Sequence, residues 1–200
     1  MYYFFRKLVS IYFHIKNKIT VYNKENIPDL KGGYIIACNH QRYADPPLVA
    51  SVIRGKFSFM AKSELFKNKL FGWLIKKCGA FPVERGSGDN SSLEKAVSDI
   101  NNGRTFVIFP EGTRSKDGTI GRARSGIIVI ASEAKAPVLP VCIMYGLGGK
   151  KRNVDIAIGE IIPAEKVSVD LEDRKTVKAA STLIIDSIKS LQEQIYEARK

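Results

Sequence analysis

The chain has 200 residues, 44% hydrophobic and 26% charged, an ordinary globular composition and length enough for one domain with a real core. Its three cysteines, Cys38, Cys78 and Cys142, form neither a disulfide framework nor a metal-ligand pattern, so they read as reduced thiols in a cytosolic-facing compartment, and no metal site is expected. Net charge is +12, all of it in residues 1–163, which carry 25 basic and 13 acidic side chains. Such a body points to an anionic partner: nucleic acid, a membrane surface or a phosphorylated substrate. No nucleic-acid-binding signature and no zinc-finger spacing is present, so nucleic acid is not expected. Solvated surface lysines account for part of the excess.

In chain order, residues 1–18 are apolar and aromatic but cut by Arg6, Lys7, Lys16 and Lys18. Leu8–Ile15 is too short to span a bilayer, which needs about 20 apolar residues. No small-residue cleavage site follows, which argues against a signal peptide. The segment reads as a helix lying in a membrane interface, its aromatics inserted and its basic residues on anionic head groups. An N-terminal helix packed on the domain is the alternative. Ile19–Tyr22 suits a short strand, and Glu25-Asn26-Ile27-Pro28 a turn.

Tyr34–Cys38 is an apolar run that reads as a buried strand. It leads into Asn39-His40-Gln41-Arg42-Tyr43-Ala44-Asp45, and Pro46 and Pro47 then open a helix. Asp45 is expected as the N-cap of that helix, and His40 to leave the strand's carboxyl end. A carboxylate on one imidazole nitrogen would leave the other free to take a proton. By itself this spacing is equally a capped helix beside a loop histidine.

Phe57–Met60 reads as a strand ending at Lys62, and Leu65–Cys78 as a helix containing Trp73. Ala80–Val83 is a short strand before Arg85. Ser91-Ser92-Leu93-Glu94 is a capping box that starts a helix running to about Asn101. Thr105–Phe109 is a buried strand, followed by Pro110-Glu111-Gly112-Thr113-Arg114-Ser115. A helix over Gly126–Glu133 and strands over Val138–Met144 and Val154–Ile158 follow. Val177, Ala180, Ile184, Ile188, Leu191 and Ile195 make Glu172–Arg199 a long amphipathic helix.

Strands alternating with helices predict a largely parallel α/β sheet, whose sites lie at the carboxyl ends of its strands. His40, Lys62, Arg85 and Glu111 through Arg114 all occupy that position. Gly112 permits a tight turn close to a ligand, Thr113 supplies a hydroxyl, and Arg114 a planar fork suited to phosphate. Glu111 could orient the arginine or a substrate hydroxyl. Each cation taken alone is equally a surface charge.

Four motifs in order resemble the glycerolipid acyltransferase family, most closely its lysophosphatidate acyltransferases. They are the His-four-residues-Asp box, His40 to Asp45; Gly79, Phe81 and Arg85; Phe109–Ser115; and Val138, Pro140 and Val141. Glu25–Pro28 and Ala61–Phe66 are also similar. The resemblance covers residues 20–162 and leaves the C-terminal helix unmatched. It implies a single α/β domain over residues 19–200, with a largely parallel central sheet flanked by helices, behind the interfacial segment 1–18. It implies His40 as general base on a glycerol hydroxyl and Asp45 as its orienting carboxylate. Glu111, Gly112, Thr113 and Arg114, assisted by Arg85 and Lys62, would hold the acceptor's phosphate. The acyl donor would be a thioester of acyl-carrier protein or coenzyme A, with no cofactor, and the acceptor a lysophospholipid. The enzyme would sit peripherally or monotopically on the cytoplasmic face of the membrane. A related lysolipid or glycerol 3-phosphate as acceptor, and a non-catalytic basic module, are the competing readings.

Overall fold

Apolar runs build the parallel middle of one seven-stranded sheet. β1 covers Lys18–Tyr22, β2 Ile35–Cys38, β3 Phe57–Lys62, β4 Ala80–Val83, β5 Thr105–Ile108, β6 Val138–Tyr145 and β7 Asn153–Ile158. Their order across the sheet is β1-β7-β6-β2-β5-β3-β4. β6, β2, β5, β3 and β4 run parallel. β7 turns back antiparallel on β6, and β1 lies parallel to β7 at the edge. This computed structural model describes residues 2–30, 32–84 and 90–200, with the backbone alone described for Tyr2, Tyr3 and Phe5.

β2 and β7 are buried at every position. Helices cover both faces, so β2 is an unbroken apolar run in place of an alternating pattern, whereas β7 also buries Asn153 and Asp155. Ile36 and Cys38 point to one face, where they meet Leu48, Val49, Phe57 and Ile143. That face carries helices α1 (Tyr2–Lys16), α2 (Asp45–Val52) and α3 (Lys69–Lys77). Ile35 and Ala37 point to the other, among Phe106, Ile128, Ile184 and Ile188. There lie α4 (Ser91–Asn101), α5 (Gly126–Ala134) and α6 (Arg174–Glu197). Among the described residues no helix is long and apolar enough to cross a membrane.

Three local expectations are corrected. Asp45 is not the cap of α2 but its first residue; Ala44 is the cap, and the Asp45 carboxylate turns back into the preceding loop. Leu65–Cys78 is not one helix. A 3-10 turn at Ser63–Phe66 precedes α3, whose cap, Asn68, accepts a hydrogen bond from Phe71 N at 3.0 Å. Gly72 lets that turn fold onto the helix, since a Cβ there would stand 2.9 Å from Phe66 O. The Ser91 box is displaced by one residue: Asn90 caps α4 and Ser91 is its first residue.

The chain leaves β2 through α2 to one face and leaves β5 through α5 to the other, although the two strands are neighbours. Adjacent strands whose connections diverge leave a crevice beyond their carboxyl ends. His40 and Glu111 lie there.

Candidate active site

The sequence leaves β2 with Asn39, whose side chain takes the place of a further strand residue. Its Nδ2 donates to Ile143 O at 2.9 Å and its Oδ1 accepts from Ile143 N at 2.7 Å. Gln41 Nε2 donates to the same Ile143 carbonyl at 2.9 Å. The turn that carries His40 is thereby fastened on both sides to β6.

Asp45 is fully buried. Its Oδ2 accepts from His40 Nδ1 at 2.7 Å, Gln41 N at 2.7 Å and Arg42 N at 2.8 Å. Its Oδ1 accepts from the Tyr145 hydroxyl. A buried carboxylate that receives this many donors is held in one orientation. Since Asp45 is an acceptor, the His40 proton resides on Nδ1, and Nε2 is the basic nitrogen. Nε2 makes no hydrogen bond among the described residues, and the side chain is 15% exposed. The imidazole stacks on Phe109 with centroids 4.0 Å apart and planes 22° off parallel, which fixes its tilt. Burial first, then the charge of Asp45 and the bond to it, push the Tyr145 hydroxyl far above its ordinary value of 10.0. Tyr145 therefore remains a donor throughout the working pH range.

The turn after β5 closes over this pair. Glu111 Oε1 accepts from His40 N at 3.2 Å, and Ser115 N donates to His40 O at 2.8 Å. Glu111 Oε2 accepts from Gly121 N at 3.1 Å. Glu111 thus ties three backbone segments together, and among the described residues it makes no hydrogen bond to Arg114. Gly112 has φ +70°, a conformation that favours glycine, and a Cβ there would meet Arg124 Nε at 2.6 Å. Arg124 in turn donates from Nε to Glu111 O at 3.3 Å. Thr113 is exposed on the rim of the turn. Arg114 reaches back to the histidine turn, its guanidinium 3.6 Å from the Tyr43 ring centroid. Arg42 lies likewise 3.9 Å from the Tyr145 ring centroid. The turns that hold His40 thus carry Arg42 and Arg114, and Arg124 is bonded to Glu111 in the second of them; all three are planar donors of the kind suited to phosphate.

The structure does not add Lys62 to this set. It ends β3, two strands and so about 10 Å from β2, and its Nζ pairs with Glu64 Oε1 at 3.2 Å. Arg85 lies outside the described residues. Sequence reasoning missed Tyr145, Asn39, Arg42 and Arg124. A tyrosine closing the otherwise apolar run of β6 was the available signal for the first. Among the described residues no group of three or more His, Cys, Asp and Glu side chains is placed to hold a metal ion.

A family model described as acyltransferase matches residues 18–144, a span that starts with β1 and reaches almost to the end of β6. The chain belongs to this acyltransferase family. It is 30% identical, over 98% of both chains, to a 1-acyl-sn-glycerol-3-phosphate acyltransferase of Bacillus subtilis. It is 32% identical to the enzyme of that name from Streptococcus pneumoniae, across 78% of this acyltransferase and 60% of that protein. Its fold is similar to the crystal structure of the 1-acyl-sn-glycerophosphate acyltransferase PlsC from Thermotoga maritima. The TM-score is 0.69 at 29% identity, covering 94% of this chain and 80% of that one.

Proposed function

We propose that this acyltransferase moves a fatty acyl group from a thioester, carried by acyl-carrier protein or coenzyme A, to the free hydroxyl of 1-acyl-sn-glycerol 3-phosphate, giving phosphatidate. The observation that carries the reading is the unoccupied Nε2 of a histidine locked by Asp45 and rimmed by Arg114. Nε2 takes the hydroxyl proton as the oxygen attacks the thioester carbonyl. The Asp45 carboxylate stabilises the imidazolium that forms. The carbon–sulfur bond then breaks, and His40 Nε2 passes its proton to the leaving sulfur, which releases free thiol and restores the neutral imidazole. No serine stands beside the histidine in this scheme; the substrate hydroxyl fills that role. Arg114, with Arg42 and Arg124, binds the acceptor's phosphate, and the basic body steers an anionic lipid and an acidic carrier.

α1 supports placement at a membrane interface. Arg6 Nη1 donates inward to Ile53 O at 3.0 Å, and Ser10 Oγ to Ser51 O at 3.3 Å. Phe4, Leu8, Ile11, Tyr12 and Ile15 are exposed on its outer side. A helix with its polar stripe inward and its apolar stripe outward suits an apolar exterior. On this reading the enzyme lies peripherally on the cytoplasmic leaflet, where thioester donors are made.

The test is acyl transfer by His40→Ala. Release of free thiol with lysophosphatidate as acceptor should fall by about 10²–10⁴-fold, the usual worth of a general base. Turnover like that of the wild type would sink the mechanism. Arg114→Ala should raise KM for phosphorylated acceptors; a reaction confined to acceptors without phosphate would overturn the role given to Arg114.

A further inference from the structure

The inward stripe of α1 does more than bind the helix to the domain. Arg6, Ser10 and His14, spaced four residues apart and so on one side of the helix, overhang a groove of about 670 Å³. Its walls are the connection after β1, with Lys24 and Asp29, and the loop between α2 and β3, with Arg54 and Lys56. Its floor is the amino end of the parallel strands, at Tyr34 and Thr105. From Tyr34 to His40 the chain passes the whole length of β2, about 20 Å at the rise of a strand. The groove is therefore at the opposite end of the sheet from the acyl-transfer site.

Two independent features give it a chemistry. Arg6, Lys24, Arg54 and Lys56 line it against the single carboxylate of Asp29, and none of these four cations makes an ion pair among the described residues. Cations gathered in one concave site repel each other until an anion enters. Tyr34 is only 4% exposed, and among the described residues its hydroxyl has no partner that meets hydrogen-bond geometry. A buried hydroxyl without a partner is uncommon and calls for an acceptor. An arginine fork, ammonium groups and a hydroxyl that converge from different elements match the several oxygens of a tetrahedral oxyanion better than one flat carboxylate.

We propose that this groove is a second anion site of the enzyme, which takes a phosphate ester or free phosphate and is separate from the phosphate subsite at Arg114. Where the source is a lipid, the proposal rests on the interfacial placement of α1, whose overhang puts the groove at head-group depth. Its consequence is that the acyltransferase gains affinity for an anionic leaflet through a defined site and not only through diffuse charge.

The first experiment needs no membrane. Inorganic phosphate should raise the melting temperature of the wild-type chain and of Arg114→Ala, because a ligand bound only to the folded state stabilises it. In the Arg114→Ala background the rise should vanish when Arg54→Glu and Lys56→Glu are added, and shrink when Tyr34→Phe is added; the double variant Arg54→Glu, Lys56→Glu and the single variant Tyr34→Phe are also made alone. Both are remote from His40 and should keep wild-type thiol release with a soluble acceptor, which shows that they fold. A rise lost in Arg114→Ala alone, or retained in full when Arg54→Glu and Lys56→Glu are added to Arg114→Ala, would overturn the second site. The second experiment uses vesicles of phosphatidylcholine with and without phosphatidylglycerol. The double variant should lose at least about tenfold of the preference for the anionic vesicles, given the worth of two juxtamembrane cations. The control Lys175→Glu, Lys178→Glu on α6 should lose much less, and an equal loss would overturn the site in favour of diffuse charge. Loss of this preference when inorganic phosphate is added places the head group in the groove, since the two compete for one site; a melting-temperature rise with phosphate but no vesicle preference that depends on Arg54 and Lys56 assigns free phosphate. Failure of the wild type to bind either kind of vesicle removes the interfacial reading and leaves the melting result to decide the anion site.

Discussion

At the scale of single residues, Asp45 is the centre of the site. Four donors converge on its two oxygens, and three of them come from the five residues just before it. The fourth is Tyr145, one hundred residues away on β6. The local three follow from the spacing of His40 and Asp45 once the turn between them is tight. The distant one cannot follow from spacing, because it depends on β6 lying beside β2. Removing the tyrosine hydroxyl leaves Asp45 Oδ1 buried with no donor. Tyr145→Phe should therefore cost about 1–3 kcal/mol in stability and lower kcat more than it raises KM, since the phosphate rim is untouched. Unchanged kcat would show that the three local donors suffice. The variant also has a pH signature. In the unfolded chain this hydroxyl ionises near 10.0, and in the folded chain only well above that. The unfolded state thus loses its proton first, so the stability contributed is complete below pH 10 and declines as the pH rises beyond it. Denaturant melts across pH 9–11 should show a shallower decline in Tyr145→Phe than in the wild type.

At the scale of elements, the helices on the α1 side are those whose pattern the sequence displayed least faithfully. The apolar residues of Leu65–Cys78 look like one helix because turn and helix both contribute them. Asn68 and Gly72 break the run, the first by capping and the second by letting Phe66 fold back. The break frees α3 to turn Leu70, Phe71 and Trp73 outward, with Leu70 77% exposed. Lys67, Lys69, Lys76 and Lys77 flank them, all exposed. A helix with lysines around an outward Trp, Phe and Leu has the composition of an interfacial element. It lies on the same face of the sheet as α1, so both can meet one surface. Trp73 is the only tryptophan in the chain, which makes the test direct. On adding anionic vesicles its emission should shift to the blue and become less accessible to a soluble quencher. Binding of vesicles with unchanged Trp73 emission would confine the contact to α1. The buried strands, in contrast, were legible almost to the residue. A run of four to eight apolar residues bounded by glycine or polar turns fits little else in a sheet covered on both faces.

At the scale of the whole molecule, the question is what the C-terminal helix does, since no motif lies in it. Its periodicity revealed a buried stripe, and Ile184, Ile188 and Leu191 do pack on the sheet. What periodicity could not reveal is how the helix end is fixed. Arg199, just beyond α6, donates from Nε to Asp155 Oδ1 at 2.9 Å, and its Nη2 reaches the same oxygen and Thr20 Oγ1. The Tyr22 hydroxyl donates to that oxygen at 3.2 Å. Asp155 is fully buried in β7, and its other oxygen has no partner among the described residues. This cluster joins α6 to both strands that run against the rest of the sheet. Gln192, two turns earlier, donates to Gly118 O at 2.9 Å, so the helix also touches the loop that follows Arg114. Without Arg199 the Asp155 charge would remain buried beside a single tyrosine hydroxyl. Loss of one partner from a buried pair is costly, and with Arg199 partly exposed Arg199→Ala should cost about 3 kcal/mol. For a domain of this size that is a fall in melting temperature of about 6–12 °C. His40 and its carboxylate are held by β2, β5 and β6, so the variant's specific activity should survive at temperatures well below its melting point. A large loss of activity without a loss of stability would mean that α6 positions the substrate loop through Gln192, and that the fold and the site are less separable than the sheet topology implies.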